Sequence, residues 1–317
     1  DAGNPFSAST TSTHTVDTSA SATITVDNIT SDDILNAQEA AGDVTVTGTV
    51  GGDAAIGDTV TMVINGTTYS TQVIALVGGG LGFSVNVAGS DLAVDTEFTA
   101  TVTGSDDAGN PFSASTTSTH TVDTSASAPI TVDNITSDDI LNAQEAAGDV
   151  TVTGTVGGDA AIGDTVTMVI NGTTYSTQVI ALVGGGLGFS VNVAGSDLAV
   201  DTEFTATVTG SDDAGNPFSA STTSTHTVDT SASATITVDN ITSDDILNAQ
   251  EAAGDVTVTG TVGGDAAIGD TVTMVINGTT YSTQVIALVG GGLGFSVNVA
   301  GSDLAVDTEF TATVTGS

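Results

Sequence analysis

Of the 317 residues, 38 are Asp or Glu and none is Lys or Arg, and many of the acids stand in recurring clusters. Asp32, Asp33 and Glu39 lie close together, as do Asp138, Asp139 and Glu145, and again Asp244, Asp245 and Glu251. A second set pairs Asp91 with Asp95, Asp197 with Asp201 and Asp303 with Asp307. Asp106-Asp107 and Asp212-Asp213 form a third set, and the single residues Asp17, Asp123 and Asp229 a fourth. Calcium takes roughly six to eight oxygen ligands from carboxylates, carbonyls and water, and loop-separated carboxylate clusters are what such a site needs. Paired carboxylates also serve glycosidases. That chemistry needs groups to bind sugar and position it, and the chain has no Trp, Arg or Lys. The same absences leave no oxyanion clamp, P-loop or nucleophile–base pair, so no catalytic residue is assigned and the chain reads as no enzyme. The plain alternative is turn chemistry, with Asp139 capping a short helix and Asp213 closing an Asx turn. Asp159 and Asp164 read as solvated surface.

The elements that position these acids come in repeats. His14, His120 and His226 share the string TSTHTVDTSASA, and Asp1, Asp107 and Asp213 each open DAGNPF, both at a spacing of 106 residues. Pro129 is the one difference between copies; Thr23 and Thr235 stand at that place in the others. Solenoid repeats run about 20–50 residues, so a 106-residue period is a whole domain.

A formal net charge of −38 excludes nucleic-acid binding and an anionic membrane surface. Acidity of this degree can also mean disorder. Against that, 39% of the residues are hydrophobic and they fall into strand patterns. The charge therefore sits on a folded domain and is solvated by salt, neutralised by bound cations, or both. Without Cys there is no disulfide. No apolar run approaches the ~18–20 residues that cross a bilayer.

In the middle copy, Val150, Val152 and Val156 alternate with Thr151, Thr153 and Thr155. Val166, Met168 and Ile170 alternate with Thr165, Thr167 and Val169. Phe189, Val191 and Val193, and then Phe204, Ala206 and Val208, continue the pattern. Period two with β-branched residues marks half-buried strands. Asn171-Gly172, Gly184-Gly185-Gly186 and Asp213 to Pro217 supply turns. About seven strands per repeat predict an all-β fold of immunoglobulin-like sandwiches with an aliphatic and Phe core. The stretch Asp138 to Ala146 has room for one helical turn. His120 shares a strand face with Phe112 and Ala114 and has no second His or Cys in its repeat, so it reads as a core-edge residue. Asn134-Ile135-Thr136 and Asn171-Gly172-Thr173 match the glycosylation sequon, the second being explained by its turn.

The strings VDNITSDDILNAQEA, VAGSDLAVDTEFTATVTGS and DDAGN, with the HTVDT junction, resemble the extender repeats of giant RTX adhesins, surface proteins of Gram-negative bacteria. The resemblance covers every repeat. It implies calcium-bound sandwiches arranged end to end as a rod, stiffened at their junctions, that hold a distant adhesion domain away from the cell and support attachment or biofilm formation. It implies an extracellular or cell-surface location. With the resemblance, the clusters named above become the expected calcium ligands. Leu182 to Gly188 departs from the family pattern and is given no metal. Sandwich topology sorts the loops to two ends. Asp138, Asp139, Glu145, Asp197 and Asp201 fall at the C-terminal end of the middle repeat, and Asp123, Asp212 and Asp213 at its N-terminal end. Each junction then faces one acidic end with another, which cations would cross-link.

The alternative function is a self-assembling matrix fibre or surface sheath, with lateral contacts between copies of the chain. The expected boundaries are residues 17–122 and 123–228 for two full repeats and 229–317 for a third that lacks its last strand, since that strand is the run PFSASTTSTHTV. Residues 1–16 would be the last strand of a preceding domain. Two explanations fit. The chain is a window from a longer periodic polypeptide, which its start inside a hairpin favours, or copies join head to tail by strand addition. Both need residues 1–16 extended and the groove beside Phe310 to Thr315 filled from outside the chain.

Overall fold

Residues 3–316 are described by a computed structural model. The chain divides into two compact units, residues 1–141 with 145–227 and residues 142–144 with 228–317. The first unit holds two repeats.

In the first repeat, one sheet contains β1 (Ala22–Ile24), β3 (Asp43–Gly52), β7 (Leu81–Ala88) and β6 (Ile74–Ala75), in that order. The facing sheet contains β5 (Thr67–Gln72), β4 (Thr59–Ile64), β8 (Glu97–Ser105) and β9 (Pro111–Thr119). All the pairs within these two sheets are antiparallel. This is the immunoglobulin-like sandwich, with eight strands where the alternation predicted about seven. The extra one is the two-residue edge strand β6, too short to show a period. The expected alternation holds: Val44, Val46 and Val50 of β3 and Val60, Met62 and Ile64 of β4 are all buried. Asn65 and Gly66 join β4 to β5 with φ of 48° and 76°, the two-residue turn whose twist suits a hairpin. At Gly48 an added Cβ would collide with the carbonyl of Thr25 and with the ring of Phe83, which lies across the glycine and is 1% exposed.

Two features depart from the alternation reading. A short helix α2 (Gly89–Leu92) follows β7 where a loop was expected. The run Pro111 to Val122 is also not one strand. β9 ends at Thr119, His120 turns inward at 6% exposure, and β10 (Thr121–Val122) pairs in parallel with β2 (Ile34–Leu35). His120 holds this pivot with a 2.9 Å hydrogen bond between Nε2 and the Leu92 carbonyl, as a core-edge residue.

The middle repeat keeps the same pairing, with one change. Ala22–Ile24 pairs over three residues with Val50 to Gly52, but its counterpart is reduced to a single bridge between Ile130 and Val156. Pro129 has no N–H to give the ladder, which accounts for the difference.

In the second unit, the third repeat forms one sheet from Ala234–Ile236, Asp255–Gly264, Leu293–Ala300 and Ile286–Ala287. Among the described residues its other sheet has three strands: Thr279–Gln284, Thr271–Ile276 and Ala312–Thr315. Phe310, Ala312 and Val314 are half-buried there, whereas Phe98, Ala100 and Val102 are 3%, 0% and 0% exposed. Ile246-Leu247 forms no strand, although the identical Ile34–Leu35 does. In the first repeat that strand exists only as the partner of β10.

Candidate functional site

At the C-terminal end of the first repeat, the turn before β2 places two carboxylates side by side. Asp33 sits at φ 65°, and its Oδ1 accepts from the Ile29 N–H at 3.0 Å. Asp32 Oδ1 accepts from Thr30 Oγ1 at 2.8 Å and from the Ile34 N–H at 3.2 Å. The Thr30 hydroxyl, and then the Ile34 amide, hold Asp32 below the usual carboxylate range. Asn36 next caps α1 (Ala37–Ala40): its side chain accepts from the N–H groups of Gln38 and Glu39, and Glu39 Oε2 accepts from the Asn36 N–H at 3.0 Å. The cap is thus this asparagine and not the second aspartate of the turn. Asp139, like Asp33, adopts a left-handed backbone (φ 63°) and accepts from Ile135 N–H.

Asp91 and Asp95 are tied to the opposite hairpin. Tyr69 Oη donates to Asp91 Oδ2 at 2.6 Å, and Asn65 Nδ2 donates to Asp91 Oδ1 at 3.1 Å. The Asn65 N–H donates to Asp95 Oδ2 at 2.8 Å. Tyr175, Asn171, Asp197 and Asp201 repeat this pattern, as do Tyr281, Asn277, Asp303 and Asp307. These aspartates brace the turns, and sequence reading missed Tyr69 and Asn65 as their partners.

At the N-terminal end, Asp106 closes its hairpin by accepting from the N–H and the side-chain amide of Asn110, both at 2.7 Å. Asp212 does the same with Asn216, so the Asx turn belongs to Asp212 and not to Asp213. Asp17, Asp123 and Asp229 each accept from the N–H two residues on. Asp159 accepts from Ser127 N–H and Asp164 from Ala161 N–H, each at 2.7 Å.

The junction between the first two repeats brings both ends together. The Asp123 N–H donates to the Leu35 carbonyl at 3.1 Å, and Asn216 Nδ2 donates to the Asp123 carbonyl at 2.9 Å. Asn216 Oδ1 accepts from the Ala37 N–H at 2.7 Å, and Asn36 Nδ2 donates to the Ala214 carbonyl at 3.1 Å. Ala214 and Asn216 are buried, at 5% and 3% exposure, while Ala108 is exposed and Asn110 half-buried. The hairpin 212–216 is therefore one half of a clasp and 36–37 the other. The DDAGN string held this signal, but sequence reading took its acids and passed over its asparagine.

No family model matches the chain, and no curated protein does. Solved structures do. One, from a 1.5-MDa bacterial ice-binding adhesin described for host cell surface retention, is 52% identical, with a TM-score of 0.84 over 94% of this chain and 92% of that one. Another, from a Ca2+-stabilised adhesin that helps an Antarctic bacterium reach out and bind ice, is 60% identical, with a TM-score of 0.70 over 96% of this chain and 72% of that one. This chain belongs to the extender repeats of giant RTX adhesins. A single immunoglobulin-like domain of the M. primoryensis ice-binding adhesin also matches, at 57% identity over 33% of this chain and 100% of that domain, with a TM-score of 0.31.

For an extender, the free capacity of the carboxylates matters. Among the described residues no three acids or histidines converge as a ready-made metal cage. Asp32 and Asp33 nevertheless each engage only Oδ1 with the protein, and Glu39 only Oε2. Oxygen donors with spare lone pairs, no basic neighbour and carbonyls alongside suit a hard divalent cation. Asp91 and Asp106, with both oxygens engaged, fit that role less well.

The tyrosine–aspartate pair has an acid signature. The Tyr69, Tyr175 and Tyr281 hydroxyls hold Asp91, Asp197 and Asp303 below the usual range, and the phenols are raised in return. A carboxylate lowered by folding stabilises the fold above its unfolded value of about 3.9, and that contribution is lost as pH falls through the lowered value. Tyr175→Phe is expected to move the titration of Asp197 upward, as read by carboxyl carbon NMR. An unchanged titration would contradict the assignment.

Proposed function

We propose that the chain is a calcium-stiffened extracellular spacer of a large repetitive bacterial surface adhesin, projecting a distal adhesion domain and supporting attachment or biofilm formation. The observation that carries this reading is the clasp at the first junction, where buried Asn216 and Ala214 of one repeat lock onto Asn36 and Ala37 of the other within an acidic surround. A protein whose product is reach needs repeat ends that fix each other and little else. The acids of this junction are Asp32, Asp33 and Glu39 on one side and Asp123, Asp212 and Asp213 on the other. With no Lys or Arg to offset them, they repel unless a cation intervenes.

In this reading calcium bridges the repeat ends through the spare oxygens of Asp32, Asp33, Glu39, Asp123 and Asp213, with Asp212 holding the hairpin in place and backbone carbonyls and water completing the shell. The equivalent acids elsewhere in the chain are Asp17, Asp106 and Asp107, then Asp138, Asp139 and Glu145, then Asp229, then Asp244, Asp245 and Glu251. The pairs Asp91–Asp95, Asp197–Asp201 and Asp303–Asp307 stand beside them at the same ends. An extracellular protein needs a dissociation constant of only about 10⁻⁴–10⁻³ M for the sites to fill. The Ca2+-stabilised relative supports the choice of metal. The rigidity of the first junction, measured with and without calcium in the wild type and in the Asp123→Ala/Asp213→Ala double variant, tests the reading.

A further inference from the structure

Each repeat holds two asparagines that open an Asn-X-Thr string, and the fold treats the two oppositely. We infer that Asn28, Asn134 and Asn240 are sites of N-linked glycosylation, each accepting sugar from a diphosphate-activated donor. The first repeat contains Asn28, Asn36, Asn65, Asn86 and Asn110, and all but Asn28 are taken up by the fold. Asn36 caps α1, Asn86 Oδ1 accepts from Thr45 Oγ1 at 2.9 Å, and Asn110 closes its hairpin with Asp106. Asn65 also opens an Asn-X-Thr string, but its side chain is bound to Asp91 and its N–H to Asp95. Asn28 is exposed, and its side chain makes no hydrogen bond among the described residues. Asn134 and Asn240 are exposed and unengaged in the same way, whereas Asn171 and Asn277 are bound as Asn65 is.

The neighbours of this asparagine hold it outward. Ile29 and Ile135, next in the chain, are each 3% exposed and anchor the loop in the core. Asp27 Oδ2 accepts from the Thr47 hydroxyl at 2.7 Å, and the Ile29 N–H donates to Asp33 Oδ1 at 3.0 Å, so the residues on both sides are pinned. The amide between them keeps two N–H donors and a carbonyl oxygen that the protein does not use. The sequon hydroxyls of Thr30 and Thr136 donate to Asp32 and Asp138 at 2.8 and 2.9 Å, which leaves their oxygen lone pairs open to a transferase. An exposed loop that presents such a string outside the cell has what a glycosyl acceptor requires. The transfer is a substitution at carbon. The Asn134 amide nitrogen bonds to the anomeric carbon of a sugar carried as its diphosphate ester. The anomeric C–O bond breaks, the diphosphate leaves with that electron pair, and one amide proton passes to a base of the transferase. Each repeat then carries one neutral, hydrated group beside the acidic turn at its C-terminal end.

The test is mass spectrometry of the adhesin taken from the surface of the cells that make it. Trypsin finds no site in a chain without Lys or Arg, so the cleavage is made at Glu. Cuts after Glu97, Glu145, Glu203 and Glu251 separate the two kinds of string: peptide 98–145 holds Asn134, 146–203 holds Asn171 and 204–251 holds Asn240. Pro129 distinguishes 98–145 from 204–251. The expected result is sugar localised by fragmentation to Asn134 and Asn240, with 146–203 bare. One hexose per site would point to a nucleotide-sugar donor, and a longer glycan to a lipid-linked one. Asn134→Gln has no hydrogen bond to lose, so its melting curve should match the wild type. It should clear 98–145 of sugar and leave 204–251 glycosylated. Bare 98–145 and 204–251 in the wild type would overturn the inference. So would sugar on Asn171, or sugar on 98–145 that survives Asn134→Gln.

Discussion

Chelating calcium is expected to lower the melting temperature of the chain by roughly 10–20 °C at matched ionic strength. The size follows from linkage. A ligand at one hundred times its dissociation constant stabilises the form that binds it by about 2.7 kcal/mol. For a repeat of this size each kcal/mol moves the midpoint by roughly 4–8 °C. Matched ionic strength matters because salt alone screens a chain with a net charge of −38. The loss should fall most heavily on the repeat ends, where Asp32, Asp33 and Glu39 have oxygens not engaged by the protein, and least on the sheet cores, which contain no Asp or Glu. Differential scanning calorimetry in millimolar calcium and in chelator measures it. Superimposable melts would remove calcium from the account.

The second large effect lies in the core. Phe189→Ala is expected to cost about 3–5 kcal/mol, a large share of what holds one domain together. Phe189 is 1% exposed, and its ring lies over Gly154, where an added Cβ would strike both the ring and the Thr131 carbonyl. Aromatics make up only 4% of the chain, so little else can fill the space the ring leaves. Gly154→Ala attacks the same contact from the other side and forces strands apart; overpacking of this kind costs about 1–3 kcal/mol or more. Val183→Ala, at a side chain fully in solvent, is the control and should stay within about 0.5 kcal/mol. Denaturant melts of the three variants give the comparison. A mild Phe189→Ala, no worse than the control, would mean the core is not held at this glycine.

The strands were legible because a period of two survives in any copy: Val166, Met168 and Ile170 point inward as the alternation requires. The Asn171-Gly172 turn was legible because left-handed φ at both positions demands those residue types. What stayed hidden is what depends on distant residues. Ile34–Leu35 is a strand and the identical Ile246-Leu247 is not, so local sequence cannot decide it; the presence of β10 does. His120 as a pivot depends on the Leu92 carbonyl, and the Asn36–Asn216 clasp joins residues from different repeats. Capping was misplaced by a few residues because Asp and Asn share the same turn chemistry, and the backbone decided between Asp139 and its neighbouring asparagine.

Stiffening of the junction by calcium is the centre of this account, and the distance between two spin labels across the first junction tests it most directly. The chain has no Cys, so Val63→Cys and Val169→Cys, 55% and 56% exposed in their native form, give one label in each of the first two repeats. Pulsed electron resonance would then report the distribution of distances between those repeats. The account predicts a single narrow distribution in millimolar calcium. It predicts a broad one in chelator, and a broad one in calcium for Asp123→Ala/Asp213→Ala, with circular dichroism unchanged in all cases. Equal widths with and without calcium would contradict it.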